Sequence, residues 1–326
     1  MSSTKEIISF ISENTRRTNL PLPAPRDALY RWALDVKPPR KGEYILYTGG
    51  LYQLIPQINS LVNQLESLTE RKTGALALRF AKAFSKLIDL SKIAKPRKKD
   101  VEYSNSILRG IAALLDSAGV NYGYLYEDDM YSGILLHDMG LEQDFAIHAG
   151  KVYSKLKEHN ASKVITVDPH TTYALTKLYP EYIDNYNLEV VNYLQLLHDK
   201  TLEGELTFKQ GEKGEVVIHD PCYYARFLEI LDPPRALLEA AGYKVLEPRR
   251  TRKMTYCCGG PIESLSPRLA LKISETRVKE LLEKSPRIVT LCPICYANLS
   301  RSTPNDSTIK DIAIYLSGAL PGERER

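Results

Sequence analysis

Five cysteines carry most of the chemistry this sequence can offer, and all of them lie late in the chain. Cys222, Cys257, Cys258, Cys292 and Cys295 fall within 74 residues, and none occurs in the first 221. An odd number, clustered in this way and without a secretion signal, does not suit a disulfide framework. It points to metal or redox chemistry in a reducing compartment. The pattern is C-x34-CC-x33-C-x-x-C. A single zinc ion takes four ligands, which would leave one thiolate over. Adjacent residues such as Cys257 and Cys258 point their side chains apart, which suits two metal atoms better than one. Thiolate-rich sites select iron–sulfur clusters as well as zinc, and cubane clusters use four cysteines. Five thiolates with a vicinal pair therefore point to a polynuclear iron site. Zinc is the alternative cofactor. A catalytic Cys292/Cys295 disulfide is a third reading, and it leaves three cysteines unexplained.

Each cysteine sits where a short apolar run meets a turn. EVVIHDPCYY (215–224) and PRIVTLCPICYANL (286–299) read as buried strands running into turns and helices. In an open parallel sheet the carboxyl ends of the strands share one edge, where ligands collect. Three strand ends can thus bring Cys222, the Cys257–Cys258 pair and the Cys292–Cys295 pair to one point. Gly259 and Gly260 permit close backbone approach, while Pro221 and Pro293 stiffen their turns.

The same elements occur twice. SILRGIAALLDSAGV (106–120) resembles RALLEAAGYKV (235–245), each an amphipathic helix closed by glycine and followed by a strand. MYSGI (130–134) stands where YCCGG (256–260) stands, and SKVITVDPHTTYAL (162–175) parallels 286–299. Ser132 to Asp168 leaves 35 intervening residues, and Cys258 to Cys292 leaves 33. The chain reads as a duplication of α/β class: two lobes, each a small parallel sheet flanked by helices. The expected division is an N-terminal leader at 1–43, an earlier lobe at 44–200 and a later lobe at 201–326. Gly50 to Tyr131 leaves 80 residues against 34 between Cys222 and Cys257, so the earlier lobe carries a helical insertion at about 59–104. Its apolar positions Leu76, Phe80, Phe84 and Leu87 recur at helical spacing, followed by the basic run at 95–99. The insertion reads as a hairpin covering its own lobe or as a docking surface for another subunit.

Outside the cysteines, His219 lies three residues before Cys222 and is the one candidate for a catalytic or hydrogen-bonding role beside the site. Asp168 is placed to cap a helix, with His170 at that helix start facing the lobe interface. The run Arg249–Lys253 reads as a solvated loop, or as charge that offsets an anionic group and attracts an acidic partner. Tyr223, Tyr224, Arg226 and Arg277 are further candidates for the site's surroundings. The 44 basic residues against 40 acidic ones are well mixed, so nucleic acid is not an expected partner. No apolar run approaches the ~20 residues that span a bilayer. The N-terminal stretch reads as a helix, not a signal peptide, and the expected location is cytoplasmic, or peripheral at a membrane through a complex.

HDPC, CCGG and CPIC at these spacings resemble the cysteine-rich CCG domain of the heterodisulfide reductase B subunit. The same domain occurs in iron–sulfur subunits of glycolate, lactate, glycerol-3-phosphate and some succinate dehydrogenases. The resemblance implies that Cys222, Cys257, Cys258, Cys292 and Cys295 ligate one noncubane [4Fe-4S] cluster. It also implies that two such domains pair pseudosymmetrically. In the earlier lobe the matching positions are Gly50, Tyr131, Ser132, Asp168 and Thr171, and none is a soft ligand. That repeat is therefore degenerate, and one cluster per chain is expected. The implied function is an iron–sulfur electron-transfer component of an oxidoreductase complex, relaying electrons to a thiol or disulfide or to a partner. Without a GxGxxG fingerprint in the chain, the expected partner is a ferredoxin-like iron–sulfur subunit or a flavoprotein subunit. A zinc-stabilised scaffold is the reading from a different class.

Overall fold

Apolar runs too short to be helices and largely buried form the central strands of two parallel sheets. The computed structural model describes residues 2–70, 96–263 and 265–322. In the earlier lobe β1 (Tyr44–Tyr47), β2 (Tyr122–Tyr124), β3 (Lys163–Thr166) and β4 (Glu189–Asn192) lie in the order β2-β1-β3-β4. In the later lobe β5 (Gly214–His219), β6 (Tyr243–Leu246), β7 (Arg287–Thr290) and β8 (Thr308–Asp311) lie in the order β6-β5-β7-β8. All six pairings are parallel. Strand for strand the two orders are the same, so the duplication read from the sequence is present in three dimensions.

The crossovers are helical: α1 (Ser2–Thr18) precedes the first sheet, and α2 (Leu51–Glu70), α3 (Lys98–Ser117) and α4 (Glu142–Glu158) follow its strands. A short helix, α5 (Pro169–Tyr173), leaves β3, and α6 (Tyr193–Leu202) leaves β4. The later lobe has α7 (Asp232–Ala240), α8 (Pro267–Leu282), α9 (Pro293–Ser300) and α10 (Ile312–Ser317). Leu76, Phe80, Phe84 and Leu87 of the expected insertion lie outside the described residues. No helix among the described residues is long and apolar enough to cross a membrane.

The two lobes exchange their last helices. α6 packs on α7 of the later lobe, and α10 packs on α3 of the earlier one. One continuous core results, joining Trp32, Leu46, Ile107 and Leu194 to Val216, Leu237, Ile312 and Leu316. The α3–α10 crossing is close at Gly110, where a Cβ would stand 2.9 Å from Ser317 Oγ and 3.3 Å from the Ala313 carbonyl. Two hydrogen bonds across the interface obey the same pseudo-twofold. Tyr52 donates to Asp311 Oδ2 at 2.7 Å, and Asn192 Nδ2 donates to Tyr224 Oη at 2.7 Å. Tyr52 lies two residues after Gly50 as Tyr224 lies two after Cys222, and Asn192 and Asp311 end the corresponding strands β4 and β8. Both of these strand-end side chains also start their helices, Asn192 accepting from the Leu194 amide and Asp311 from the Ala313 amide.

Candidate metal centre

Three segments of the later lobe place the cysteines. β5 runs out through His219, Asp220 and Pro221 to Cys222, which opens a π-helical turn over Tyr223–Leu228. Cys257 and Cys258 lie on the loop after β6, just before a single 3-10 turn at Gly260–Ile262. Cys292 follows β7 in extended conformation as the residue before α9, and Cys295 lies one turn on. Gly259 takes φ +89°, and a Cβ there would stand 2.5 Å from the Ala270 carbonyl, so only glycine lets the loop pass under α8. All five cysteines are free thiols; Cys258, Cys292 and Cys295 are buried, while Cys222 and Cys257 are half-buried.

The thiols form a connected group in which two of the sulfurs meet. Cys295 Sγ and Cys258 Sγ are 3.3 Å apart. Cys222 interacts electrostatically with Cys258 and Cys292, and Cys257 with Cys258 and Cys222. Backbone amides are already turned onto the vicinal pair: the Gly259 N–H donates to Cys257 Sγ at 3.3 Å and the Gly260 N–H to Cys258 Sγ at 3.4 Å. Asn298 Nδ2 holds the loop by donating to the Cys258 carbonyl at 3.0 Å. The thiols do not share one acidity. Burial pushes Cys222 up to about 12. Burial alone would raise Cys292 as well, but hydrogen bonding from Cys295 and the neighbouring His170 bring it down to about 6. Hydrogen bonds from Cys257 and Cys295 hold Cys258 well below the ordinary thiol range.

His219 is part of this cluster. One of its ring nitrogens and the sulfurs of Cys258 and Cys295 lie within 4.8 Å of one another. Arg277, fully buried, donates from Nε to His219 Nδ1 at 3.0 Å, and Nε2 is buried without a partner. Burial keeps the imidazole pKa below its ordinary value despite the pull of Cys258. A neutral ring that accepts at Nδ1 carries its proton on Nε2. It can therefore donate to sulfur, but it cannot ligate a metal through Nε2.

Asp220 is the residue that sequence reasoning missed. Its carboxylate takes a two-pronged grip from Arg235 (2.8 and 2.9 Å) and accepts the Arg252 amide at 2.8 Å. Its carbonyl accepts Thr255 Oγ1 at 2.8 Å. The Cys222 turn is thereby tied to α7 and to the 3-10 turn and loop that lead into Cys257. Arg226 braces the same stretch, donating to the carbonyls of Lys253 and Thr255. Of the other candidates, Tyr224 is spent on the lobe interface, and Tyr223 donates to Asp138 of the earlier lobe at 2.6 Å. The basic run is largely neutralised: Arg250 pairs with Glu280, Arg252 with Asp232 and Lys253 with Glu229. Asp168 caps α5 as expected, accepting the His170 and Thr171 amides at 2.9 Å each.

A parallel-sheet lobe that carries five thiols on the loops after three of its strands defines the class, a cysteine-rich α/β domain. Residues 216–300, within the later lobe, match the CCG family model described as "Cysteine-rich domain". Over 216 residues the chain is 28% identical to the probable iron-sulfur-binding oxidoreductase FadF of Bacillus subtilis, covering 65% of this chain and 30% of that protein. It is 31% identical over 195 residues to the EtfAB:quinone oxidoreductase of Syntrophomonas wolfei, covering 57% of this chain and 27% of that one. With the D subunit of the dihydromethanophenazine:CoB--CoM heterodisulfide reductase of Methanosarcina acetivorans it shares 27% identity over 223 residues, 64% of this chain and 53% of the relative. These relatives are oxidoreductases or subunits of them, and the chain is related to them over roughly a quarter to a half of their length.

Proposed function

We propose that this chain is an iron–sulfur electron-transfer subunit of a heterodisulfide-reductase-like oxidoreductase complex, with one noncubane [4Fe-4S] cluster in the later lobe. The observation that supports the reading best is that the five unpaired thiols lie on three loops of one lobe, with the Cys258 and Cys295 sulfurs 3.3 Å apart beside the buried, unpartnered imidazole nitrogen of His219. Cys222, Cys257, Cys258, Cys292 and Cys295 would hold the group. The site suits it: the donors are soft, and the orphaned His219 Nε2 and His170 Nδ1 call for sulfur acceptors. When bound, such a cluster supplies one-electron transfer at a potential set by hydrogen bonds to sulfur and by solvent exposure. The chain's own part is to set both. Gly259 and Gly260 supply N–H donors to the sulfurs, the unpartnered His219 Nε2–H would add another, and burial of Cys258, Cys292 and Cys295 keeps water from the inner side. Cys222 and Cys257 form the half-exposed edge by which electrons, or a thiol or disulfide substrate, would reach the site.

The division into a leader (1–43), a degenerate lobe (44–200) and a cluster-binding lobe (201–326) belongs to the same reading, as does a reducing, cytoplasmic location, which five free thiols favour. The partner would be a ferredoxin-like iron–sulfur subunit or a flavoprotein subunit. The similarity to the EtfAB:quinone oxidoreductase favours a second reading, in which the site relays electrons from a flavoprotein-linked dehydrogenase without splitting a disulfide. Anaerobic purification with iron, sulfide and zinc determination tests the cluster. Copurification from the host, followed by electron paramagnetic resonance after reduction by flavoprotein or by thiol, separates the two partners.

A further inference from the structure

The earlier lobe has no cysteine, yet the tip of its central strand reaches the later lobe's site. β3 leads to Asp168, the counterpart of Cys292, and the Cys292 thiol is close enough to push the Asp168 carboxyl upward, adding to the larger effect of burial. The turn that follows is rigid. Asp168 Oδ1 accepts two amides, and Thr172 Oγ1 donates to the Asp168 carbonyl at 2.7 Å. Asn192 then ties Thr172 to Tyr224 of the other lobe, at 2.9 and 2.7 Å. On this turn stands His170, buried, with its ring 4.3 Å from that of Tyr223, the neighbour of Cys222. Tyr223 is itself fixed by its bond to Asp138. The His170 Nδ1 is buried with no hydrogen-bond partner, and the Cys292 thiol is near enough for the two groups to influence one another's ionisation.

We propose that His170 is a positioning residue for the redox site, donating an N–H from the cysteine-free lobe onto the Cys292 sulfur side of the bound group and raising its reduction potential. The inference rests on the cluster reading above and adds to it a role for the degenerate lobe. The physical reason is charge. A reduced centre carries one more negative charge than an oxidised one, so a buried N–H held against its sulfur stabilises the reduced form more. The effect is stronger where water is excluded. With His219 donating from the later lobe and His170 from the earlier one, each lobe would contribute one imidazole to the site.

The test uses the full chain, purified anaerobically with its metal, as wild type, His170→Leu and His170→Gln. Iron per chain and the midpoint potential from a mediated titration followed by electron paramagnetic resonance are the readouts. Wild-type iron content in both variants is expected, with a negative shift of potential in the Leu variant and a smaller one in Gln, which keeps an N–H donor. The Leu variant is also expected to lose one exchangeable-proton coupling to the paramagnetic centre. An unchanged potential in an iron-replete Leu variant would overturn the proposal. So would equal loss of iron from both variants, because a retained donor would then make no difference. Absence of iron from the wild type is a different failure, that of the cluster reading itself, and would take this proposal with it.

Discussion

Replacing Asp220 by Ala removes the carboxylate that ties the Cys222 turn to the rest of the lobe. Asp220 and Arg235 are both almost fully buried, and their two bonds are 2.8 and 2.9 Å. Breaking a buried pair by removing one partner costs about 3–5 kcal/mol, because the other charge is left without its counterpart. Here Arg235 keeps Glu247, at 2.5 and 2.9 Å, so the lower end of that range, about 3 kcal/mol, is expected. The Arg252 amide loses its acceptor as well. Against a typical net stability of about 5–15 kcal/mol, this is a large fraction. Urea unfolding of the reduced, metal-free chain at neutral pH should show the loss. Arg252→Ala, which breaks only an exposed pair with Asp232, should stay within about 1 kcal/mol of wild type. The pH dependence has a fixed sign. Burial would raise the Asp220 carboxyl, but Arg235 overrides it and holds the pKa below the ordinary 3.8. The group's contribution is therefore complete above that value and disappears as pH falls through the depressed one. The variant should differ least from wild type in strong acid. An Asp220→Ala chain as stable as wild type at pH 7, with undiminished iron, would refute the idea that this carboxylate assembles the site.

Gly259→Ala puts a Cβ 2.5 Å from the Ala270 carbonyl at φ +89°, and the left-handed backbone alone should cost about 1–2 kcal/mol, with weakened iron retention. Denaturation and metal analysis would show it, and a wild-type result would mean that the loop has room to move. Tyr52→Phe leaves Asp311 Oδ2 without its donor across the lobe interface and should cost about 1–3 kcal/mol, measured in the same assay. Asp129 is raised by burial from 3.8 to about 7 despite hydrogen bonds from Thr48. A raised carboxyl favours the fold in its protonated state, so stability should fall as pH climbs from about 4 through about 7, and Asp129→Asn should flatten that decline. A stability profile unchanged by the substitution would contradict the assigned shift.

The cysteine positions, the turns that carry them and the duplication were legible because each leaves a local mark: a residue type, a Gly-Gly or Asp-Pro step, an apolar run. The fourth strand of each sheet was not. EVVN and TIKD are four-residue edge strands, largely exposed or half-exposed, with no apolar run to announce them. The exchange of α6 and α10 between lobes was equally invisible, since an amphipathic helix does not state which surface it covers. Arg277 and His219 are 58 positions apart, and only the fold shows that one fixes the tautomer of the other. The basic run Arg249–Lys253 looked like a charged patch because its acidic partners, Asp232, Glu229 and Glu280, come from other elements. Asp220 lay in plain view beside Cys222, but a single carboxylate before a proline carries no sign of the arginine fifteen residues on.

Metal and sulfide stoichiometry of the anaerobically purified chain tests the central claim most directly. Five thiolates around one polynuclear centre should bring about four irons with acid-labile sulfide per chain, and a paramagnetic signal on mild oxidation. One zinc per chain, without iron or sulfide, would contradict it.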